Sequence, residues 1–128
     1  MEPDQEAIDL AHRMFDLARA GSTRELAAYV EAGVPVNLTD PKGDTFLILA
    51  AYHAHPDTVA ALLERGADPA RTNDRGQTAL AAATFAQSAD AVVALVDAGA
   101  DPAQGSPSAL ETVRFFDLPA MAELLERH

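Results

Sequence analysis

Cysteine is absent from this chain of 128 residues, and aromatic residues make up only 5% of it. The first absence excludes disulfide bonds, a thiolate nucleophile and sulfur-ligated zinc. The second argues against a sheet protein, which usually contains more aromatic and β-branched side chains. Hydrophobic residues nevertheless make up 48% of the sequence, and alanine, the best helix former, is abundant. The composition therefore predicts a helical protein whose core needs no metal or disulfide to fold.

Long apolar runs and basic residues are also scarce. No run approaches the length of a membrane span, and the acidic start at residues 1–6 lacks the features of a signal peptide, so a cytoplasmic protein is expected. Lysine and arginine total 9 against 20 for aspartate and glutamate, a formal net charge of -11. Such a charge repels phosphate backbones and anionic lipids, so neither a nucleic acid nor a membrane is expected as a partner. The charge either favours a basic partner surface or simply maintains solubility.

The sequence repeats with an offset of 33 residues. Residues 45–51 align with residues 78–84, and the Gly-Ala-Asp-Pro turn at 66–69 recurs at 99–102. The same offset joins further pairs of residues: Gly43 and Gly76, Asp57 and Asp90, Val59 and Val92, and Leu62 and Leu95. So many independent agreements on one period indicate a stack of similar supersecondary units.

Each unit carries two apolar stripes at the three- and four-residue spacing of a helix. Around the middle of the chain these stripes consist of Leu47, Ala50 and Ala51, then Val59, Leu62 and Leu63. Pro56 separates the two stripes, and proline is tolerated where a helix begins. Two short helices cannot bury both stripes alone, so the pattern predicts helix-turn-helix units that stack on their neighbours.

The unit Asp-x-x-Gly-x-Thr-x-Leu-x-x-Ala-Ala, followed after a turn by Val-x-x-Leu-Leu-x-x-Gly-Ala-Asp, occupies residues 40–68 and resembles the ankyrin repeat. The resemblance covers nearly the whole chain. It implies an all-α ankyrin-repeat solenoid of four stacked helix-turn-helix units, two internal and two capping, with short β-hairpin-like loops. We expect a single domain over residues 1–128, divided approximately into an N-terminal cap at 4–39, units at 40–72 and 73–103, and a C-terminal cap at 104–128.

Residues at the expected helix ends predict how the helices are capped. Three glycines fall just past the second helices: Gly33, Gly66 and Gly99. A left-handed backbone at such positions needs glycine. Asp57 and Asp90 sit where a carboxylate can cap the amides of a second helix. The first helix is expected to run from about residue 4 to residue 19, and the Ser-Thr-Arg-Glu segment at 22–25 predicts a capping box for the next one.

Few residues are arranged for catalysis or metal binding. His53 and His55 form a His-x-His pair, but helical positions two apart point in nearly opposite directions. The repeat pattern places the other histidines away from them, so we expect no metal site and no cofactor. Thr45 and Thr78 lack a base to activate them, and in the ankyrin family this threonine ties the loop to the helix start. No enzyme is expected, and the catalytic alternative is a hydrolase that uses His53 with Asp57.

One group of residues points to binding. The thirteenth position of each unit, counted from Asp40 and the equivalent position of the other units, holds Arg19, Tyr52, Phe85 and, allowing for the deletions in the last unit, Phe115. The resemblance places this position on the concave side, where stacking would align the rings in a row beside polar loop tips. Aromatic residues near arginine typify interface anchors, although the rings could instead bury against the next unit. The predicted partner-binding residues are Arg19, Lys42, Asp44, Tyr52, His53, Arg75, Gln77, Phe85 and Phe115.

The repeat architecture favours a protein-protein interaction scaffold, a monomer that binds another protein through its concave face and loop tips. The alternative is an acidic inhibitor or immunity-type protein that blocks a basic site on its target. That alternative predicts acids grouped on one concave area. The sequence is also similar to short stand-alone bacterial ankyrin-repeat proteins.

Overall fold

The computed structural model describes residues 4–126, and within that range it contains eight α-helices and no β-strand. The helices are α1 Gln5–Ala20, α2 Thr23–Glu31, α3 Phe46–Tyr52, α4 Pro56–Glu64, α5 Ala79–Phe85, α6 Ala89–Asp97, α7 Ala109–Phe116 and α8 Pro119–Glu126. The all-α prediction is confirmed, and α1 lies within one residue of its expected bounds. None of the helices in the described range is long and apolar enough to cross a membrane.

The first helices of the two middle pairs begin at the repeated threonines. Thr45 precedes α3, and its Oγ1 accepts a hydrogen bond from the amide of Ile48 at 3.1 Å. Thr78 precedes α5 and accepts from the amide of Ala81 at 3.1 Å. These threonines therefore have the structural role that the resemblance implies, because they satisfy an amide that has no partner within the helix.

The glycines that follow the second helices have the left-handed backbone that the sequence predicts. Gly66 has a φ of 92°. Its amide donates to the carbonyl oxygen of Leu63 at 3.1 Å, and the amide of Ala67 donates to that of Leu62 at 3.0 Å. This pair of bonds forms a Schellman motif, which satisfies carbonyls at the helix end. The glycines one unit away in either direction also have positive φ.

The capping box expected at the start of α2 does not form there, and a capping box forms at the start of α7. The Ser22 side chain makes no capping hydrogen bond, so the capping box predicted there is wrong. Glu25 pairs instead with Arg13 at 3.2 Å, which draws its carboxylate away from the helix start. A capping box forms at α7, where Ser108 Oγ accepts from the Glu111 amide at 3.1 Å and Glu111 Oε1 accepts from the Ser108 amide at 3.0 Å.

The caps expected from Asp57 and Asp90 also differ in the structure. The two aspartates lie in the first turns of α4 and α6, whose N-cap residues are His55 and Ser88. No side chain caps either helix by a hydrogen bond. The aspartates instead place negative charge near the helix N-termini, where the helix dipole favours it.

The helices form two layers along the stack. In the first layer α1, α3, α5 and α7 pack successively against one another, and in the second layer α2, α4, α6 and α8 do the same. Leu47 and Leu80, at equivalent positions of α3 and α5, are each 1% exposed and belong to one hydrophobic core. Their small neighbours Ala50 and Ala83 are fully buried, which allows the helices to approach closely. The predicted stack of helical pairs is confirmed.

Hairpin-like loops project from the junctions between helical pairs, as predicted. Isolated antiparallel bridges join Thr39 to Thr45, Thr72 to Thr78, and Gly105 to Ser108. The tips of these loops are also joined to one another. The amide of Asp74 donates to the carbonyl oxygen of Lys42 at 3.0 Å, and the amide of Ser106 donates to that of Gly76 at 3.0 Å. We call this row of connected tips the loop wall.

Candidate interaction groove

A groove of about 630 Å³ lies between the first helical layer and the loop wall. Its helical side comes from α1 and α3, and its apolar floor includes Phe15, Ile48 and Leu49. The predicted partner-binding residues that line it are Arg19, Lys42, Asp44, Tyr52, His53, Arg75 and Gln77. Phe85 and Phe115, the remaining predicted residues, lie further along the stack. The fold therefore brings most of the predicted residues to one place.

An aromatic strip leads out of the groove along the stack. The rings of Tyr52 and Phe85 stack with their centroids 6.1 Å apart and their planes inclined by 13°. Phe116 packs edge-on against Phe85 with the centroids 5.3 Å apart. Phe115 packs edge-on against Phe116 at 4.9 Å. These four residues, which we call the aromatic strip, form a continuous chain of ring contacts across three helices of the first layer.

The third ring of the strip is Phe116, whereas the repeat alignment assigned this place to Phe115. α7 continues to Phe116 and is one residue longer than α5. The shortened last unit therefore does not fix which of the two adjacent phenylalanines faces Phe85. Adjacent side chains on a helix diverge by about 100°, and Phe115 points outward and is 83% exposed. The Phe-Phe pair was visible in the sequence, but only the packing distinguishes its members.

The rings of the strip are neither fully buried nor isolated. Tyr52 is 43% exposed, Phe85 44% and Phe116 50%. Each ring therefore packs within the strip and still presents much of its surface to solvent. Single exposed apolar residues are normal, but a contiguous group of them marks an interaction site. Both sequence-based expectations, packing between units and an exposed row, thus describe part of what the rings do.

A second depression, of about 620 Å³, lies at the far end of the strip. Its lining includes Phe115, Phe116, Pro107 and Arg114. Glu111 lines it as well, but this carboxylate is engaged in the capping box of α7. The groove and this depression are connected by the aromatic strip, so they form one elongated surface.

Asn73 shapes the loop wall beside the groove, a role that was not predicted from the sequence. Its Oδ1 accepts hydrogen bonds from the amides of Arg75 and Gln77, both at 3.0 Å, and its Nδ2 donates to Asp44 Oδ1 at 2.8 Å. Asp44 is only 6% exposed, so its carboxylate supports the loop and does not project from the rim as expected. Asp40, one repeat earlier, accepts from two loop amides in the same way. The recurrence of a short polar side chain at these two positions, 33 residues apart, is the sequence signal that could have predicted the role of Asn73.

The carboxylates of the groove already bind donors, whereas two of its cations do not bind acceptors. Asp16 and Asp40 pair with Arg19 at 2.9 and 3.6 Å. The third carboxylate, that of Asp44, accepts a hydrogen bond from the side chain of Asn73. Lys42 and Arg75 are exposed, and neither forms an ion pair with any carboxylate of residues 4–126. The groove therefore offers unpaired positive charge.

His55 joins two helical pairs, and His53 lies at the rim of the groove. His55 Nε2 lies 2.7 Å from the main-chain oxygen of Arg19, and this contact joins two successive helical pairs. His53 follows α3, and its ring lies edge-on to that of Tyr52 with the centroids 5.2 Å apart. His53 and Asp57 are both exposed, and no hydrogen bond joins them in the described chain. Residues 4–126 contain no group of three histidine or acidic side chains that could hold a metal ion.

Comparison with known proteins identifies the class to which this architecture belongs. The family model described as Ankyrin repeats (3 copies) matches residues 14–105. The match covers more than half of the chain, and the chain therefore belongs to the ankyrin-repeat family. Ankyrin repeats are generally protein-protein interaction modules built as stacked solenoids.

Particular relatives agree with this assignment. The chain is similar to the ankyrin repeat protein PA3287 of Pseudomonas aeruginosa, with 47% identity over 58 residues, which is 45% of this chain and 34% of that protein. Among solved structures it is similar to the human ASB11 ankyrin repeat domain, with a TM-score of 0.67 and 30% identity. That match covers 70% of this chain and 40% of the human one. Each match thus spans less than half of the relative's length.

Proposed function

We propose that this protein is a non-catalytic scaffold that binds another protein through the groove and the aromatic strip. The proposal is carried by one observation, the run of half-exposed rings that begins in the groove and continues along the stack. Clustered aromatic and arginine side chains are typical anchors of protein interfaces. The general role of ankyrin repeats in protein-protein interaction supports the same conclusion.

The distribution of charge favours a scaffold over an acidic inhibitor. An inhibitor that covers a basic site would present unengaged carboxylates on its binding face. The carboxylates that line the groove are instead bound to Arg19 or Asn73. The net charge of -11 would attract a basic partner surface to other faces of the molecule, and we assign that charge mainly to solubility.

Affinity capture from cells that express the protein tests this proposal. The wild type should retain a partner that the Tyr52→Ala/Phe85→Ala variant loses, because that variant lacks the central rings of the strip. Val93→Ala provides a matched control, since Val93 is an apolar residue of α6, in the second layer, and is 37% exposed. The control should retain the partner as the wild type does.

Thermal unfolding of the double variant completes the test. The rings are partly exposed and contact one another, so the loss of their partial burial and of their pairing should lower stability by about 2–4 kcal/mol without preventing cooperative folding. If the double variant retained the same partner, the proposed surface would be wrong. If the double variant did not fold, the rings would be core residues, and the surface would be wrong for that reason.

A further inference from the structure

The two ends of the elongated surface carry cations that have no carboxylate partner. Lys42 and Arg75 line the groove, where Tyr52 begins the strip, and Arg114 lines the depression, where Phe116 continues it. The three cations are exposed and form no ion pair within residues 4–126. The arginines that do form such pairs are Arg13, Arg19, Arg65 and Arg71. Unpaired positive charge therefore lies on the face that carries the aromatic strip.

The carboxylates that line the groove and the depression form no ion pair with those cations. Asp16 and Asp40 are held by Arg19, Asp44 is buried against the loop asparagine, and Glu111 belongs to the capping box. An incoming carboxylate would therefore meet available donors at both ends of the surface. The remainder of a protein with a net charge of -11 would repel it.

The spacing of the rings suits an extended chain. Successive ring centroids along the strip are 6.1 Å apart from Tyr52 to Phe85 and 5.3 Å apart from Phe85 to Phe116. Alternate side chains of an extended segment point to one side and are about 6.6 Å apart. Two or three apolar side chains at alternate positions could therefore contact neighbouring rings in turn.

We propose that the surface binds an extended acidic segment of its partner protein. Alternate apolar side chains of the segment lie on the aromatic strip, and carboxylates at its two ends pair with Lys42 and Arg75 and with Arg114. The inference rests on the function proposed above and specifies the chemistry of the partner. Selectivity follows from the combination, because an acidic segment without apolar side chains is repelled by the rest of the protein and gains nothing from the rings.

Fluorescence anisotropy with three labelled peptides of about nine residues tests the inference, since this length exceeds the strip when extended. All three contain a Leu-Ser-Leu-Ser-Leu centre and differ only in two flanking residues at each end, which are Glu, Gln or Lys. The wild type should bind the Glu-flanked peptide about tenfold more tightly than the Gln-flanked one, and the Lys-flanked peptide least tightly. Added salt should weaken binding of the Glu-flanked peptide and have little effect on the Gln-flanked one.

Substitutions then test whether the three cations cause the preference for the Glu-flanked peptide. The Lys42→Ala/Arg75→Ala/Arg114→Ala variant should bind the Glu-flanked and Gln-flanked peptides equally. Arg24→Ala is the matched control, because Arg24 is an exposed residue of α2 that also forms no ion pair within residues 4–126. The control should keep the wild-type preference. Tyr52→Ala/Phe85→Ala should weaken binding of the Glu-flanked and Gln-flanked peptides alike.

Several outcomes would overturn the inference. One is a preference for the Lys-flanked peptide, and another is a Glu preference that survives the triple substitution. If Lys-flanked binding required the rings, the proposed scaffold function would stand while the acidic partner would be wrong. If none of the peptides bound, the inference would fail. The affinity capture described above would still test the proposed scaffold function separately. Self-association that the ring substitutions abolish would assign the strip to a second copy of the chain, contrary to both proposals.

Discussion

The Nε2 atom of His55 lies 2.7 Å from the main-chain oxygen of Arg19. A carbonyl oxygen only accepts hydrogen bonds, so the imidazole donates this one. It satisfies a carbonyl in the last turn of α1, where the helix itself supplies no partner. The other ring nitrogen lies against Gly21, since a Cβ added to that glycine would be 2.5 Å from His55 Nδ1. One side chain thus joins the first helical pair to the second, directly beside the groove.

The contact between His55 and Gly21 predicts a measurable coupling. His55→Ala should lower the free energy of unfolding by about 1 kcal/mol, because a hydrogen bond is lost. Gly21→Ala should cost more than about 1 kcal/mol, because the glycine has a φ of 72° and the new methyl group displaces the imidazole. Both changes remove the same hydrogen bond, so the double variant should be destabilised by about 0.5–1 kcal/mol less than their sum. Urea denaturation of the four proteins measures this, and additive losses would mean that the contact adds no stability.

Gly66 isolates the effect of backbone conformation. No atom lies within 4 Å of a Cβ added there, while φ is +92°. Gly66→Val should therefore lower stability by about 1–2 kcal/mol through strain alone. Gly66→Asn should cost less, because asparagine tolerates a left-handed backbone. Each kcal/mol corresponds to a decrease of about 4 °C in the melting temperature, and a valine variant that melts with the wild type would contradict the cap.

Two serines of the same local sequence pattern should respond differently to alanine. Ser108→Ala should lower the free energy of unfolding by about 1 kcal/mol, because the side chain caps α7. Ser22→Ala should change it by less than about 0.5 kcal/mol, because the Ser22 side chain makes no capping bond. Chemical denaturation monitored by circular dichroism compares them. Equal losses at the two positions would show that the assigned caps are wrong.

Substitution of Asn73 should lower stability more than substitution of Asp44, its hydrogen-bond partner on the neighbouring loop. Asn73→Ala removes four hydrogen bonds and leaves the buried Asp44 carboxylate without its donor, which should cost about 2–3 kcal/mol. Asp44→Asn keeps an oxygen that can accept from Asn73, so its loss should be smaller. Equilibrium unfolding in urea distinguishes the two, and a stable Asn73→Ala variant would mean that the loop does not depend on this side chain.

The period of 33 residues was sufficient to predict the helices and their stacking. Each unit buries its apolar stripes only against its neighbours, so residues that are equivalent in the sequence, Leu47 and Leu80, lie in one core on adjacent helices of the first layer. The capping boxes were less predictable. A serine followed three residues later by a glutamate occurs at both Ser22 and Ser108, but Arg13 pairs with the glutamate of the first pattern. Competition from a residue on another helix is not visible in a local pattern.

The site was predictable to the extent that it repeats. Tyr52 and Phe85 occupy equivalent positions and stack, whereas Phe116 falls in the shortened last unit, where the alignment no longer fixes the facing residue. Asp44 was expected on the rim because it lies at a loop tip, but its hydrogen bond to Asn73 buries it. The bounds of the four units, the monomeric state and the cytoplasmic location stay predictions.

The loop wall is connected by main-chain atoms, from Asp74 to Lys42 and from Ser106 to Gly76. These two main-chain hydrogen bonds do not involve the side chains at positions 42, 75 and 77. These residues can be exchanged without loosening the frame that presents them. A library randomised at the three positions would redirect recognition while the scaffold stays intact, so the same architecture could be engineered to accept segments of quite different chemistry.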